Sequence, residues 1–169
     1  TKSRGLGDVY KRQELMLVYG SNKVEYILSS EESIQSSINE SDLVIGSVYV
    51  VGKEAPKVIT KEMLSSMSPG TVMVDVSIDQ GGCFETSKPT THDNPTFLEN
   101  DIVHYCVTNM PGAVPLTATE ALNKVTLSYI DKLANNGISN ALNSDKHLMN
   151  GLNMQNGKIV HPGVIEALS

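Results

Sequence analysis

Residues Thr71–Glu85 read TVMVDVSIDQGGCFE, and this stretch decides the fold. It opens as a buried strand, breaks at Ile78-Asp79-Gln80 and then turns on the pair Gly81-Gly82. In an open α/β sheet, ligands bind in the crevice outside the carboxyl ends of the strands. An acid standing where a strand gives way to glycines is therefore poised over a crevice, not packed in a core. The residues alone leave two readings of Asp79: it caps the turn that follows, as Asp often does, or it acts on a ligand.

Upstream, Ser68-Pro69-Gly70 turns the chain into this strand from a short helix, Lys61–Met67, capped by Thr60. Leu43–Val51, LVIGSVYVV, is nearly all apolar, as expected of a strand buried on both faces of a parallel sheet. Gly46 inside it marks a close approach by another backbone or a ligand, and residues 52–56 form a loop. Ser29-Ser30-Glu31-Glu32 supplies a helix N-cap with acids in the first turn, and Ile34 and Ile38 fall on one helical face. Val24–Leu28 alternates as a strand does. Glu14–Tyr19 reads as the tail of a helix, stopped by Gly20-Ser21-Asn22. Residues 1–13 lack hydrophobic periodicity, and Asp8–Gln13, DVYKRQ, reads as the in-frame translation of a sequencing adapter. That segment is set aside as non-native, in a chain expected to be truncated on its N-terminal side.

Downstream, Thr86–Asn100 reads as a polar loop and Ile102–Val107 as a strand. Thr108–Thr119, with two prolines and a glycine, suits a linker or a loop that closes over a ligand. From Ala118 the period is helical: Leu122, Val125, Leu127, Ile130 and Leu133 give one apolar side, and Asn135-Asn136-Gly137 stops it. A second short helix covers Ile138–Leu142, and a terminal one starts at Val164. The order β-α-β-α-β-β followed by helices is the second half of a doubly wound, Rossmann-type α/β sheet. No G-x-G-x-x-G follows a strand in these 169 residues, so this chain supplies no glycine-rich phosphate cradle.

Composition narrows the function classes. Apolar residues make up 40% with no Trp and two Phe, so the core is aliphatic; the net charge of −6 argues against a nucleic-acid or anionic-membrane partner. No apolar run approaches the ~20 residues of a membrane span. Cys83 and Cys106 form no C-x-x-C unit and read as reduced, buried thiols of a cytoplasmic protein. His92 and His104 belong to no metal-ligand spacing, so no metal is expected. Cys83 has no general base beside it in sequence and reads as a packing residue. Tyr105 packs, and Glu85 is available to cap the glycine turn.

From about Val24 onward the sequence resembles the second half of the alanine dehydrogenases. The runs that carry this are SDLVIGS at 41–47, APK at 55–57, M-x-P-G at 67–70, VDVSIDQGGCFET at 74–86, PTTHDNPT at 89–96, HYCVTNMPGAVP at 104–115 and the helix ALNKVTLSYIDKLANNG from Ala121. The I-D-Q-G-G and N-M-P-G-A-V-P runs at this separation are the specific ones. The resemblance implies NAD-dependent, reversible oxidative deamination of L-alanine to pyruvate and ammonia by a hexamer. It implies a catalytic role for Asp79, beside the nicotinamide and substrate. Val76, Ser77 and Ile78 match a backbone stretch running along the cofactor, as Asp79 does. Val48 and Tyr49 match its adenosine side, and Ser29 a position near the adenine. Lys88 stands where the family commonly has Arg, which keeps a cation without the bidentate fork. Val107, Thr108, Asn109 and Met110 match the strand end and loop at the nicotinamide.

On the same resemblance, residues up to about Ala113 belong to a partial NAD-binding domain, and the helices from Val114 to the catalytic domain. The His, Lys and Arg that take the substrate lie in an N-terminal domain outside these residues, so the chain alone is expected to be inactive. Two rivals stand beside this reading. The related NAD(P) transhydrogenase subunits usually carry Glu where Asp79 lies, and a non-catalytic nucleotide-binding module is the other.

Overall fold

The structure is a computed structural model, and it describes residues 3–7, 9–20, 24–50 and 54–169. The chain divides into two compact units, one formed by residues 1–48 and 55–108, the other by residues 49–54 and 109–169.

In the first unit, β3 (Leu43–Gly46), β4 (Val72–Asp75), β5 (Thr96–Glu99) and β6 (Ile102–Tyr105) form a sheet in the order β3-β4-β6-β5. β3, β4 and β6 run parallel, with Val44 opposite Met73 and Met73 opposite His104. Because side chains alternate along a strand, this register assigns each face a fixed set. Met73, Asp75, Ile102 and His104 point to the buried side, whereas Leu43, Ile45 and Leu98 on the other side are exposed. The buried face packs against Ile34 and Ile38 of α2 (Glu31–Asn39), Met63 and Leu64 of a 3₁₀ helix (Glu62–Ser66), and Phe84.

The strand expected over Leu43–Val51 is therefore corrected: it ends at Gly46 and is covered on one face only. The cause is local. Val76 N–H donates to Gly46 O (2.8 Å). The Ser77 hydroxyl then takes the ladder's place, accepting from Val48 N–H (2.8 Å) and donating to Val48 O (2.9 Å). Val51, Gly52 and Lys53 of the expected strand and loop lie outside the described residues, as do Ser21 and Asn22 of the expected helix stop.

α2 starts where the sequence places it. Ser30 Oγ accepts from Ser33 N–H (3.1 Å) and Ser33 Oγ accepts from Ser30 N–H (2.9 Å), a reciprocal capping box. The helix expected at Lys61–Met67 is a 3₁₀ helix over Glu62–Ser66. Thr60 Oγ1 accepts from Met63 N–H at 3.4 Å, as expected, and Glu85 Oε2 adds a shorter bond from Lys61 N–H at 2.6 Å. Glu85 thus caps this helix and not the glycine turn.

The polar loop expected over Thr86–Asn100 is corrected too. Its last part forms β5, which pairs antiparallel with β6 through the two-residue turn Asn100-Asp101, at φ 52° and 61°. Two successive positive φ angles are what a type I′ hairpin turn requires, and Asn and Asp are the side-chain-bearing residues that best tolerate them.

β2 (Val24–Leu28) forms where expected but outside this sheet, pairing parallel with β1 (Ser3–Gly7) in register Ser3–Val24. In a doubly wound sheet the two strands that flank the point where the strand order reverses follow each other in the chain without being neighbours, which is why chain order misleads for β2 and β3. α1 spans Val9–Tyr19, and Tyr26 Oη donates to Gly20 O (3.0 Å) at its end. Strand β1 and the first turn of α1 thus fall within residues 1–13, whose sequence shows no periodicity.

In the second unit α3 (Pro115–Asn136) begins three residues before the expected Ala118, with Pro in its first turn, and Gly137 N–H closes it on Leu133 O (3.0 Å). Its expected apolar side is exposed: none of Leu122, Val125, Leu127 and Ile130 is buried. α4 (Ile138–Ser144) buries Ala141 and Leu142. Asp145 caps α5 (Lys146–Asn150), accepting from His147 N–H (2.9 Å) while paired with Lys132. A hairpin of β7 (Met154–Gln155) and β8 (Lys158–Ile159) leads into α6 (Pro162–Ala167), two residues before the expected start. Among the described residues no helix is long and apolar enough to cross a membrane.

Candidate active site

Three parallel strands end side by side, and the segments that leave them carry most of the expected site. Val48 follows β3; Val76, Ser77, Ile78 and Asp79 follow β4; Val107 and Thr108 follow β6. Ile78 and Val107 turn their side chains inward and are buried, and Ser77 spends its hydroxyl on Val48, so these positions offer backbone to a ligand. Val76 is 47% exposed. Asp79 lies in the 3₁₀ turn Ile78–Gln80 and is exposed.

What shapes this corner is Asp75, a strand residue that no motif singles out. Its carboxylate is wholly buried. Oδ1 accepts from Ser77 N–H (3.0 Å); Oδ2 accepts from Cys83 N–H (2.8 Å) and from the Ser87 hydroxyl (2.5 Å), with Phe84 N at 3.4 Å. The Cys83 thiol also points to Oδ1 at 3.4 Å. A buried anion is tolerated only where donors saturate it, and here the donors come from both ends of the loop. Gly81 and Gly82 have φ of 86° and 76°, and a Cβ on Gly82 would lie 2.8 Å from Asp75 Oδ2. The second glycine is thus required by conformation and by space. Lys57, from the A-P-K run, donates to Gly81 O and to Gly82 O (2.8 Å), fixing the outer side of the turn. The available signal was an Asp at the same strand parity as Met73 in an apolar run, hence facing the core.

The remaining expected positions lie elsewhere. Ser29 follows β2 in the two-stranded sheet, next to the α2 cap. Lys88 is exposed, 3.6 Å from Glu99 Oε2 and 5.3 Å from the centre of the Phe97 ring, and Glu99 also pairs with Lys61 (2.9 Å). Those lysines hold the Glu99 carboxyl below its ordinary range, Lys61 most strongly. Tyr49, Asn109 and Met110 belong to the second unit, where Asn109, at φ 56°, precedes a 3₁₀ helix over Met110–Ala113.

His104 is a core residue. Its Nε2 lies 2.8 Å from Thr86 Oγ1 and Nδ1 3.1 Å from Ile102 O, the ring stacks on Phe97 at 4.9 Å, and burial lowers its pKa. Burial first, and the Asp75 charge second, push the Cys83 thiol up to about 12, which keeps it protonated and poorly nucleophilic. Among the described residues no three His, Cys, Asp or Glu side chains are grouped to hold a metal.

Comparison with known proteins adds the following. Residues 8–162 match the family model described as the C-terminal domain of alanine dehydrogenase/PNT. The alanine dehydrogenase of Halomonas elongata is 51% identical over 145 residues, covering 86% of this chain and 39% of that protein. That of Mycolicibacterium smegmatis is 47% identical over 146 residues, with the same shares. A solved L-alanine dehydrogenase superposes with a TM-score of 0.82 at 43% identity, over 99% of this chain and 46% of that one. A transhydrogenase from Sinorhizobium meliloti shares the fold, with a TM-score of 0.69 at 21% identity over 94% of this chain and 42% of its own. The chain thus spans about two fifths of the length of the curated relatives it matches.

Proposed function

The chain belongs to the alanine dehydrogenase/PNT C-terminal domain family, and on that footing we propose that it is the C-terminal part of an NAD-dependent L-alanine dehydrogenase. The observation that carries this is Asp79: an exposed carboxylate at the carboxyl end of β4, on a loop locked in place beneath it. The segments leaving β4 and β6 are Val76-Ser77-Ile78-Asp79 and Cys106-Val107-Thr108, with no Lys or Arg among them. That chemistry suits the nicotinamide end of the cofactor and not its phosphates. When bound, NAD supplies the acceptor for the hydride that leaves the α-carbon of alanine.

The residues of this chain do the rest of the work we assign to it. Exposed Val76 and the backbone of Ser77 and Ile78 line the cofactor, with Val48 and Ser29 toward its adenosine side and Val107 and Thr108 at the nicotinamide. Lys88 contributes a cation. Asp79 attracts the ammonium of the amino acid, which gives one proton to solvent before hydride leaves its α-carbon, and then the resulting iminium, and it orients the water that adds to the iminium carbon. The carbinolamine so formed breaks its C–N bond, releasing pyruvate and ammonium.

The test joins this chain to the remaining sequence of the Halomonas elongata enzyme. The chimaera should form NADH from L-alanine, and the 169-residue chain alone should not. In the chimaera, Asp79→Asn should lower turnover by about a hundredfold or more while NADH affinity stays within about threefold. Normal turnover in that variant removes Asp79 from the mechanism.

A further inference from the structure

We infer that Asp75 is a positioning residue for Asp79: one buried carboxylate holds both ends of the loop that presents the exposed one. This rests on the reading of Asp79 given above. The two acids stand close in sequence, and their surroundings are opposite. Asp75 is fully buried and meets only donors, three of them backbone N–H groups, whereas Asp79 stands in the open turn.

The bonds have a pattern that simple burial does not require. Ser77, before the turn, and Cys83, Phe84 and Ser87, after it, all converge on one side chain, so the segment between them is closed into a ring around the anion. Oδ2 contacts the loop where Gly82 leaves no room for a Cβ. Any group that lengthened or reversed one of these bonds would move the turn at Ile78–Gln80, and Asp79 with it. Displacement of a reacting group by about 1 Å costs on the order of a hundredfold in rate. An Asn at 75 has the same shape but offers an N–H₂ to donors that need an acceptor.

The experiment uses the chimaera and a double-mutant cycle. Asp75→Asn should lower kcat by about tenfold or more with little change in KM for NADH. Ser87→Ala, which removes one donor, should lower it less, and Ser87→Thr, which keeps the hydroxyl, should restore it. In an Asp79→Asn background neither change should lower kcat further, because the group they position is already gone. As a readout independent of turnover, amide exchange at Ser77 and Cys83 of the 169-residue chain should quicken in Asp75→Asn and Ser87→Ala. If Asp75→Asn fails to fold, the Ser87 pair carries the same cycle. Unchanged kcat in a folded variant overturns the inference, as do losses that multiply with that of Asp79→Asn. Full activity of Asp79→Asn by itself overturns the underlying reading instead.

Discussion

Gly46 gives the sharpest test of how this corner is packed. A Cβ built there would lie 2.4 Å from Cys83 Sγ and 2.5 Å from Phe84 Cζ, with a second ring carbon at 2.7 Å. Both neighbours are 1% exposed or less, and Gly46 itself lies outside the left-handed region. The cost of Gly46→Ala is therefore steric and not conformational. Overpacking a core by one methyl typically costs about 1–3 kcal/mol, and the gain in strand propensity returns about 0.5–1 kcal/mol. Three contacts below 3 Å place the steric cost near the top of that range, about 3 kcal/mol, and the net at about 2 kcal/mol. With a urea m-value of about 2 kcal/mol/M, the unfolding midpoint should fall by about 1 M at unchanged slope. Adding Cys83→Ala removes the nearest atom, so the pair should couple by about 1 kcal/mol. Gly70→Ala serves as the contrast: that glycine has φ 86° and open space around it, so its cost, about 1 kcal/mol, is purely conformational. A Gly46→Ala midpoint within about 0.2 M of the parent would refute the packing described for β3 against the loop after β4.

Other expectations follow from single interactions. His104 is buried with its pKa below the usual 6.5, so the unfolded chain takes up the proton first. Its contribution to stability is present above pH ~6.5 and is lost as pH falls through the folded-state value. Urea midpoints across that window should fall on acidification, and less steeply in His104→Asn. Ser30→Ala removes the half of the α2 capping box that Ser30 Oγ accepts, leaving the Ser30 N–H bond to Ser33 Oγ, and should cost about 1 kcal/mol, with Ser30→Asp recovering most of it.

Much of the fold is legible in the residues, where local chemistry and long-range packing agree. Val24–Leu28, the Ser30 cap, Ile34 and Ile38 against the sheet, and the turn at Ile78–Gln80 all stand where the sequence puts them. The misreadings have physical causes. β5 is hidden because T-F-L-E lies on a sheet edge with one exposed face, and its signal is the Asn100-Asp101 pair, not an apolar run. LVIGSVYVV overstates a strand because apolar content does not reveal that a serine hydroxyl, Ser77, ends the ladder. The stripe on α3 is helical as its period says, yet period does not say what covers it. At the site, Asp79 attracts notice because glycines follow it. Asp75 looks like a strand residue until the alternation is followed and it is seen to face the core, where a carboxylate has to be surrounded by donors.

The placement of those donors has a dynamic consequence. Loops beside a crevice usually open by themselves, at little cost and independently of the sheet behind them. Here the amides of Ser77 and Cys83 are anchored on a side chain that belongs to β4, and freeing them leaves a charged group unsatisfied in a sealed core. Residues 77 to 87 should therefore open only with the strand, at its full free energy. Amide exchange across the segment should then follow that of β4, and the segment carrying Asp79 acts as a wall and not as a lid.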